Sequence, residues 1–557
     1  MKIPGGRATA IGLSGVLAAS VLLPLGVAAP SSAATAGSGP TKSERIKVLT
    51  KALNFMRKDY KKLLQDEPGP ADVFDYQVGD LWKRGIDGTG TTVAVIEGWD
   101  DPAIGSFMAA EDKALDLPKA QISTIYPTGR HKLPAKCPPG MIKLGDYGSC
   151  SGWAGELSLD VLSVHIMAPY ARILITVAPP DSEITDDAAS QVAPPEFMQA
   201  VEYVTLHHLA NVISISDGTA ESTYSHGHEE IYAQDPGELT AAEFGVPILV
   251  GTGDCDAVQH LAVGPGDCDQ KLVTKTRATA AWDDSPWVTA VGGTTPNLSD
   301  TGQRLGPDPV WNFGPFGVNF GEGAGFSSVF TRPDYQNRVE SITHSKWRSV
   351  PDISMDAADG TSEAGPLLAG VLALATQLNH GNNVGPINDV LYNVLGPAGR
   401  KDGIADVVSG NNDVIRNGKV AVRGFSAAKG FDVASGWGTI LASAFVPALV
   451  SATKAASEDT AVRAQAAIAL AELEHRVQLT RHDVSPGGSA TLSAEGFLPG
   501  HPVALSIDGR QVAVLHAHPD GSVSYVIRPA SLGLHSAQHE IKLSSMLLVA
   551  TDTFRVS

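Results

Sequence analysis

The sequence predicts an α/β protein with a doubly wound, mostly parallel central sheet, followed by a C-terminal all-β sandwich. Three observations carry this expectation. Short β-branched runs recur at Thr91–Ile96, Ala171–Val177, Asn211–Ser216, Val246–Gly251 and Trp287–Gly292. They are apolar on both faces, as central parallel strands are. Helical segments such as Phe197–Leu209 and Tyr232–Phe244 lie between them, and strand–helix alternation builds a parallel sheet. Beyond Val477 the texture changes to short alternating runs, Ala490–Ser493, Val503–Ile507, Gln511–Leu515 and Ser522–Ile527. Turn signals such as Asp508-Gly509 and Pro519-Asp520-Gly521 separate them, which suits an immunoglobulin-like sandwich.

At 557 residues the chain exceeds one ordinary core. Lys2 and Arg7 precede an apolar run, Ala10–Ala29, that Gly12, Gly15 and Pro24 interrupt, and small residues follow to Ala33. That is the layout of a secretory signal peptide over 1–34. A polar segment follows over 35–75, with a Lys-rich helix expected from Ser43 to Leu64. The main domain is expected over 76–452, an Ala-rich connecting helix over 453–476 and the sandwich over 477–557. No later stretch is long and apolar enough to span a bilayer.

Hydrophobic residues make up 43% and charged residues 18%, a globular composition. The net charge of −19 argues against nucleic acid as a partner. An exported monomer that meets protein or peptide is expected. Four cysteines form two near pairs, Cys137 with Cys150 and Cys255 with Cys268. Export makes disulfides the natural reading; a zinc site competes, but no CxxC spacing supports it.

Ligand sites in wound sheets lie beyond the carboxyl ends of the strands, so the segments after each run matter most. Glu156 and Asp160 are four apart and share one face of an otherwise apolar helix. Two buried carboxyls are costly unless they share a proton or bind something. Exposed, they would be an ordinary surface pair. Asp254 follows Gly251-Thr252-Gly253 at the end of a strand. Alone it reads as a turn residue. Ser362, in Gly360-Thr361-Ser362, opens an apolar helix whose dipole favours negative charge nearby. Alone it reads as a helix cap.

In this order the three motifs resemble the sedolisins, the serine-carboxyl peptidases with a subtilisin-like fold. Supporting segments are Gly88-Thr89-Gly90, Trp99-Asp100-Asp101-Pro102, Ala290-Val291-Gly292-Gly293-Thr294 and Val350-Pro351-Asp352-Ile353-Ser354. The resemblance runs from about Tyr76 to Leu449 and implies an acid-acting, serine-type endopeptidase. Ser362 would be its nucleophile, Glu156 the general base, Asp160 the partner that orients Glu156, and Asp254 the oxyanion donor. A Glu base, with its lower pKa, would suit acid conditions. Ordinary subtilisins fit less well, because Glu97-Gly98-Trp99 ends the first strand and Gly155-Glu156 stands where they need a histidine.

The resemblance also implies one structural Ca²⁺. Its ligands would be the carboxylates of Asp406 and Asp432 and the carbonyls of Val407, Ala428 and Gly430. Such hard oxygens suit calcium, although Ala428 replaces the usual glycine. Three departures stand out. The segment before Tyr76 is short for a folding pro-segment. Only Met355–Asp359 separates Ser354 from Gly360, where the family adds a hairpin. Glu363 follows the serine in place of a small or apolar residue. The alternative function is therefore a catalytically impaired, secreted binding protein of the same fold.

Overall fold

The computed structural model describes residues 39–63, 68–129, 150–179, 194–261, 268, 271–455, 461–474 and 476–557. The chain divides into Met1–Thr41 and Lys42–Ser557, and every helix and strand among the described residues belongs to the second unit. The expected signal peptide lies outside the described residues, as does Cys137.

Nine strands frame the main body: β1 Thr92–Glu97, β2 Gln121–Ile125, β3 Arg172–Val177, β4 Val212–Ile215, β5 Ile248–Gly251, β6 Thr289–Thr294, β7 Gly325–Thr331, β8 Trp347–Val350 and β9 Ile353–Asp356. Seven form one sheet in the order β2-β3-β1-β4-β5-β6-β9, and every neighbouring pair is parallel. β7 and β8 form an antiparallel ribbon. The five expected strands are present. The sequence reading did not assign β2 and β9, the two edges; β2 is half-exposed and polar, so it lacks the apolar run of a central strand.

Residues alternate between the two faces of a strand, and here both faces are buried. Val93 and Val95 of β1 join one core with Val212 and Leu249, under the helices Cys150–Met167, Thr361–Leu378 and Ala442–Ala455. Ala94 and Ile96 join the opposite core with Ile213, Ile215 and Val250, under the helix Glu196–Leu206. Continuing the period places Glu97, Ser216 and Gly251 on the first face, at the carboxyl ends of β1, β4 and β5. That is the face on which the Glu156 and Ser362 helices both lie.

Those two helices touch closely. A Cβ on Gly370 would stand 2.5 Å from Met167 Cβ, so only glycine allows this approach. The expected single helix Tyr232–Phe244 is instead two, His228–Tyr232 and Asp235–Glu243, with Pro236 in the first turn of the second. Proline fits there because that N–H has no helical partner.

The C-terminal residues form two sheets. One has three antiparallel strands, Gln478–Leu479, Ala490–Ala494 and Val523–Ile527. The other has five, with Arg510–His516 at one edge. Their inward residues Leu492, Val503, Leu505, Ile541 and Phe554 share a core, which Leu239 and Ala242 of the main body also enter. The four expected strands are present; Asp483–Val484, Gln538–Ser544 and Val549–Val556, unassigned from sequence, complete the larger sheet.

Candidate active site

The helix Cys150–Met167 carries Glu156 and Asp160 one turn apart, 7% and 0% exposed, so both carboxyls leave water together. The helix Thr361–Leu378 starts directly after the tight link Ala357–Gly360, in which Gly360 N–H donates to Ala357 C=O at 3.1 Å. The link is short, yet it delivers Ser362 to the acid helix: Ser216 Oγ reaches both Asp160 and Ser362 C=O, and the Ser362 side chain is near enough to Glu156 to favour its charge.

Asp254 stands just past β5 and meets the same turn. Its Oδ1 accepts from Thr361 N–H at 2.7 Å and from Thr361 Oγ–H at 2.9 Å. Thr361 Oγ in turn accepts from Gly253 N–H at 2.9 Å. Asp254 Oδ2 faces Gly360, where an added Cβ would come within 2.7 Å of it. The four residues expected at the site thus converge, Asp254 through Thr361 and Gly360.

Three further residues join them that the sequence reading did not assign to the site. Ser216 Oγ lies 2.9 and 3.0 Å from the two Asp160 oxygens and 3.2 Å from Ser362 C=O. Thr361 ties Asp254 to the helix start. Glu97 ends β1 fully buried, with neither carboxyl oxygen hydrogen-bonded among the described residues. An acid at the end of an otherwise apolar buried strand was the available sign for Glu97. For Ser216 it was the strand period itself.

Burial dominates the electrostatics. It pushes Glu156 up to about 8, opposed by the neighbouring Ser362 side chain and reinforced by the charge of Asp254. It raises Asp160 well above the carboxylate range, with Glu156 adding and Ser216 opposing. Glu97 is raised in the same way, by burial and then by Asp160, Glu156 and Asp217. Taking a carboxylate out of water among other carboxylates disfavours its charge.

Glu363 turns away from this group. Its Oε2 accepts from Asp359 N–H at 3.0 Å. Its carboxyl joins those of Asp72 and Asp356, one oxygen of each lying within 4.8 Å of the others. Cys255 and Cys268 are bonded, as expected for that pair, so His260 beside them has no thiolate pair with which to bind zinc.

The expected calcium ligands also come together. Asp406 accepts from Gly430 N–H at 3.0–3.1 Å through both oxygens. Asp432 Oδ2 accepts from Ala428 N–H at 2.7 Å, and its Oδ1 from Ala434 N–H, Ser435 N–H and Ser435 Oγ–H. Both carboxylates thus reach the Ala428–Gly430 turn. The carbonyls of Val407, Ala428 and Gly430 accept no hydrogen bond among the described residues. Two carboxylates drawn to one turn offer hard oxygen donors of the kind calcium takes.

No protein-family model matches the chain. It is 27% identical to tripeptidyl-peptidase 1 of Mus musculus over 262 residues, 39% of this chain and 42% of that protein. It is 26% identical to tripeptidyl-peptidase 1 of Canis lupus familiaris over 274 residues, 41% and 44% of the two. The chain thus spans less than half the length of these curated relatives. Among solved structures it is similar to Pseudomonas sedolisin, a serine-carboxyl proteinase, with a TM-score of 0.52 and 24% identity. That match covers 66% of this chain and 94% of the other and shows the fold. The chain is thus similar in sequence to part of tripeptidyl-peptidase 1 and in fold to a sedolisin, a serine-carboxyl proteinase.

Proposed function

We propose that this chain is an exported serine-type endopeptidase that hydrolyses peptide bonds on the acid side of neutrality, through Ser362, Glu156, Asp160 and Asp254. The observation that carries the reading is the seating of Ser362 at the start of a helix, its side chain beside buried Glu156 and its neighbour Thr361 hydrogen-bonded to Asp254. Export rests on the N-terminal sequence pattern.

In this mechanism Ser362 Oγ attacks the scissile carbonyl and its proton passes to ionised Glu156. Protonated Asp254 donates to the developing oxyanion. Its Oδ1 accepts two hydrogen bonds from Thr361, which hold the carboxyl beside the nucleophile's turn. Glu156 then returns its proton to the leaving amine. Water, activated by the same glutamate, releases the acyl group from Ser362.

The competent state needs one ionised carboxyl, on Glu156, and neutral neighbours. Coupled acids lose their protons in steps, so activity should rise with the first ionisation and fall with the second. Burial of Glu156 places the rising limb above that of an exposed glutamate. The four-residue site sits in the expected main domain, 76–452. One Ca²⁺ at Asp406, Val407, Ala428, Gly430 and Asp432 would brace the loops after the nucleophile helix.

The test is hydrolysis of a denatured protein from about pH 3 to about pH 8. Wild type should show a bell-shaped profile, and Ser362→Ala should lose activity at least about ten-thousandfold. Glu156→Gln should lose the rising limb together with most of the rate. Equal activity in wild type and Ser362→Ala refutes the reading. Inactivity of both, with peptide still bound, favours the impaired binding protein.

A further inference from the structure

We propose that Ser216 is a positioning residue of this site: its hydroxyl links the Asp160 carboxyl to the backbone carbonyl of Ser362 and holds the nucleophile's turn against the acid helix. The inference rests on the peptidase reading for its consequence, but on hydrogen-bond accounting for its substance.

Ser216 Oγ is within hydrogen-bond distance of both Asp160 oxygens, at 2.9 and 3.0 Å, and of Ser362 C=O, at 3.2 Å. A serine hydroxyl has one hydrogen to donate. It cannot donate to a carboxylate and to a carbonyl at once. Both contacts are hydrogen bonds in one arrangement: Asp160 carries a proton and donates it to Ser216 Oγ, and Ser216 donates onward to Ser362 C=O.

The Ser362 carbonyl needs this donor. In an α-helix it would accept from the N–H four residues on, but that residue is Pro366, which has none. Ser216 takes the place of the missing helical bond. It reaches that place by the strand period of β4, which points Val212, Ser214 and Ser216 to one face, beneath the two helices.

The titratable groups around Asp160 are acids: Glu156 on its own helix, Glu97 from β1, Asp217 beyond β4, and Asp254 on the far side of Glu156. Each favours a neutral Asp160. If Asp160 ionises, the Ser216 hydroxyl turns to the carboxylate and releases the Ser362 carbonyl. The placement of the nucleophile is thereby tied to the proton on Asp160.

The experiment compares Ser216→Ala, Ser216→Thr and the double variant Ser216→Ala/Pro366→Ala with wild type. Ser216→Ala should lower kcat about ten- to a hundredfold with KM little changed. Ser216→Thr keeps the hydroxyl and should retain most of kcat. Pro366→Ala supplies an N–H to the Ser362 carbonyl, so in the Ser216→Ala background it should recover part of kcat. A second readout needs no activity: carbon NMR titration of the Asp160 carboxyl. Without the hydroxyl to stabilise its charge, the midpoint should move up in Ser216→Ala and return in Ser216→Thr. An unmoved Asp160 titration overturns the proposal. So does a kcat loss that persists in both Ser216→Thr and the double variant while each melts like wild type. If wild type and Ser362→Ala prove equally inactive, the peptidase reading fails, and the Asp160 titration still decides the link.

Discussion

Glu363 puts a carboxyl one residue from the nucleophile, where it would be expected to disturb the serine. It does not point into the cleft, because a helical turn places adjacent residues about a hundred degrees apart. Its carboxyl instead closes on Asp359 N–H and on Asp72 and Asp356. Gly360 bears the tighter constraint. Its φ is +97°, and a Cβ would stand 2.7 Å from Asp254 Oδ2. Gly360→Ala should therefore destabilise the fold by about 1–3 kcal/mol and displace Asp254 from the serine. Urea unfolding checks the first effect and the rate on denatured protein the second. A variant with wild-type stability and rate would show that the turn relaxes without cost.

At the scale of the element, the loops after the nucleophile helix hold two carboxylates against one exposed turn. Asp432 is pushed up to about 6 by burial, against the opposing effect of its hydrogen bonds to Ala428, Ser435 and Ala434. A cation bound there would offset the cost of holding its charge out of water. Calcium at a hundredfold excess over its Kd should stabilise the fold by about 2.7 kcal/mol. Chelation should then lower the Tm, and Asp432→Ala should melt at the same temperature with and without chelator. A wild-type melting curve unchanged by chelator removes the site. Elements also mark where the sequence was legible. β1, β3, β4, β5 and β6 are buried on both faces and read directly from their apolar runs. β2 is an edge with an alternately exposed pattern, and β9 is four residues long, entered through the Val350–Pro351 bond. Neither presents an isolated apolar run for sequence reading to find.

Across the whole molecule, buried acids set the response to pH. Burial is the largest cause in each case, and it pushes Glu156, Asp235, Asp256 and Glu322 up to about 8 and Asp72 to about 6. A carboxyl whose folded pKa lies above its unfolded value binds more protons when folded. Its contribution is fully present below the unfolded pKa, near 4, and is lost as pH rises through the folded pKa. The fold should therefore be most stable on the acid side and lose stability steadily from about pH 4 to about pH 8. Thermal melts at fixed ionic strength across that range check this. A Tm that rises toward neutrality would contradict it and would mean that these carboxyls ionise cheaply in the folded chain.

Alternating runs, helix starts and the spacing of Glu156 and Asp160 depend on residues close in sequence, so the sequence alone determined the wound α/β class, four of the C-terminal strands and the two ends of the site. Resemblance to the sedolisins then singled out the four site residues and the calcium loops. Only the tertiary structure decided how these parts meet. The sheet order β1-β4-β5-β6-β9 brings Glu97, Ser216, Asp254 and Ser362 together from positions far apart in the chain. Thr361 and Ser216 look like ordinary polar residues until that order places Asp160 and Asp254 beside them. The protonation of the site was likewise hidden. Near Ser362, carboxyl pKa values are set by how much water the fold excludes and by which acids it gathers, and neither is a property of neighbouring residues in the sequence.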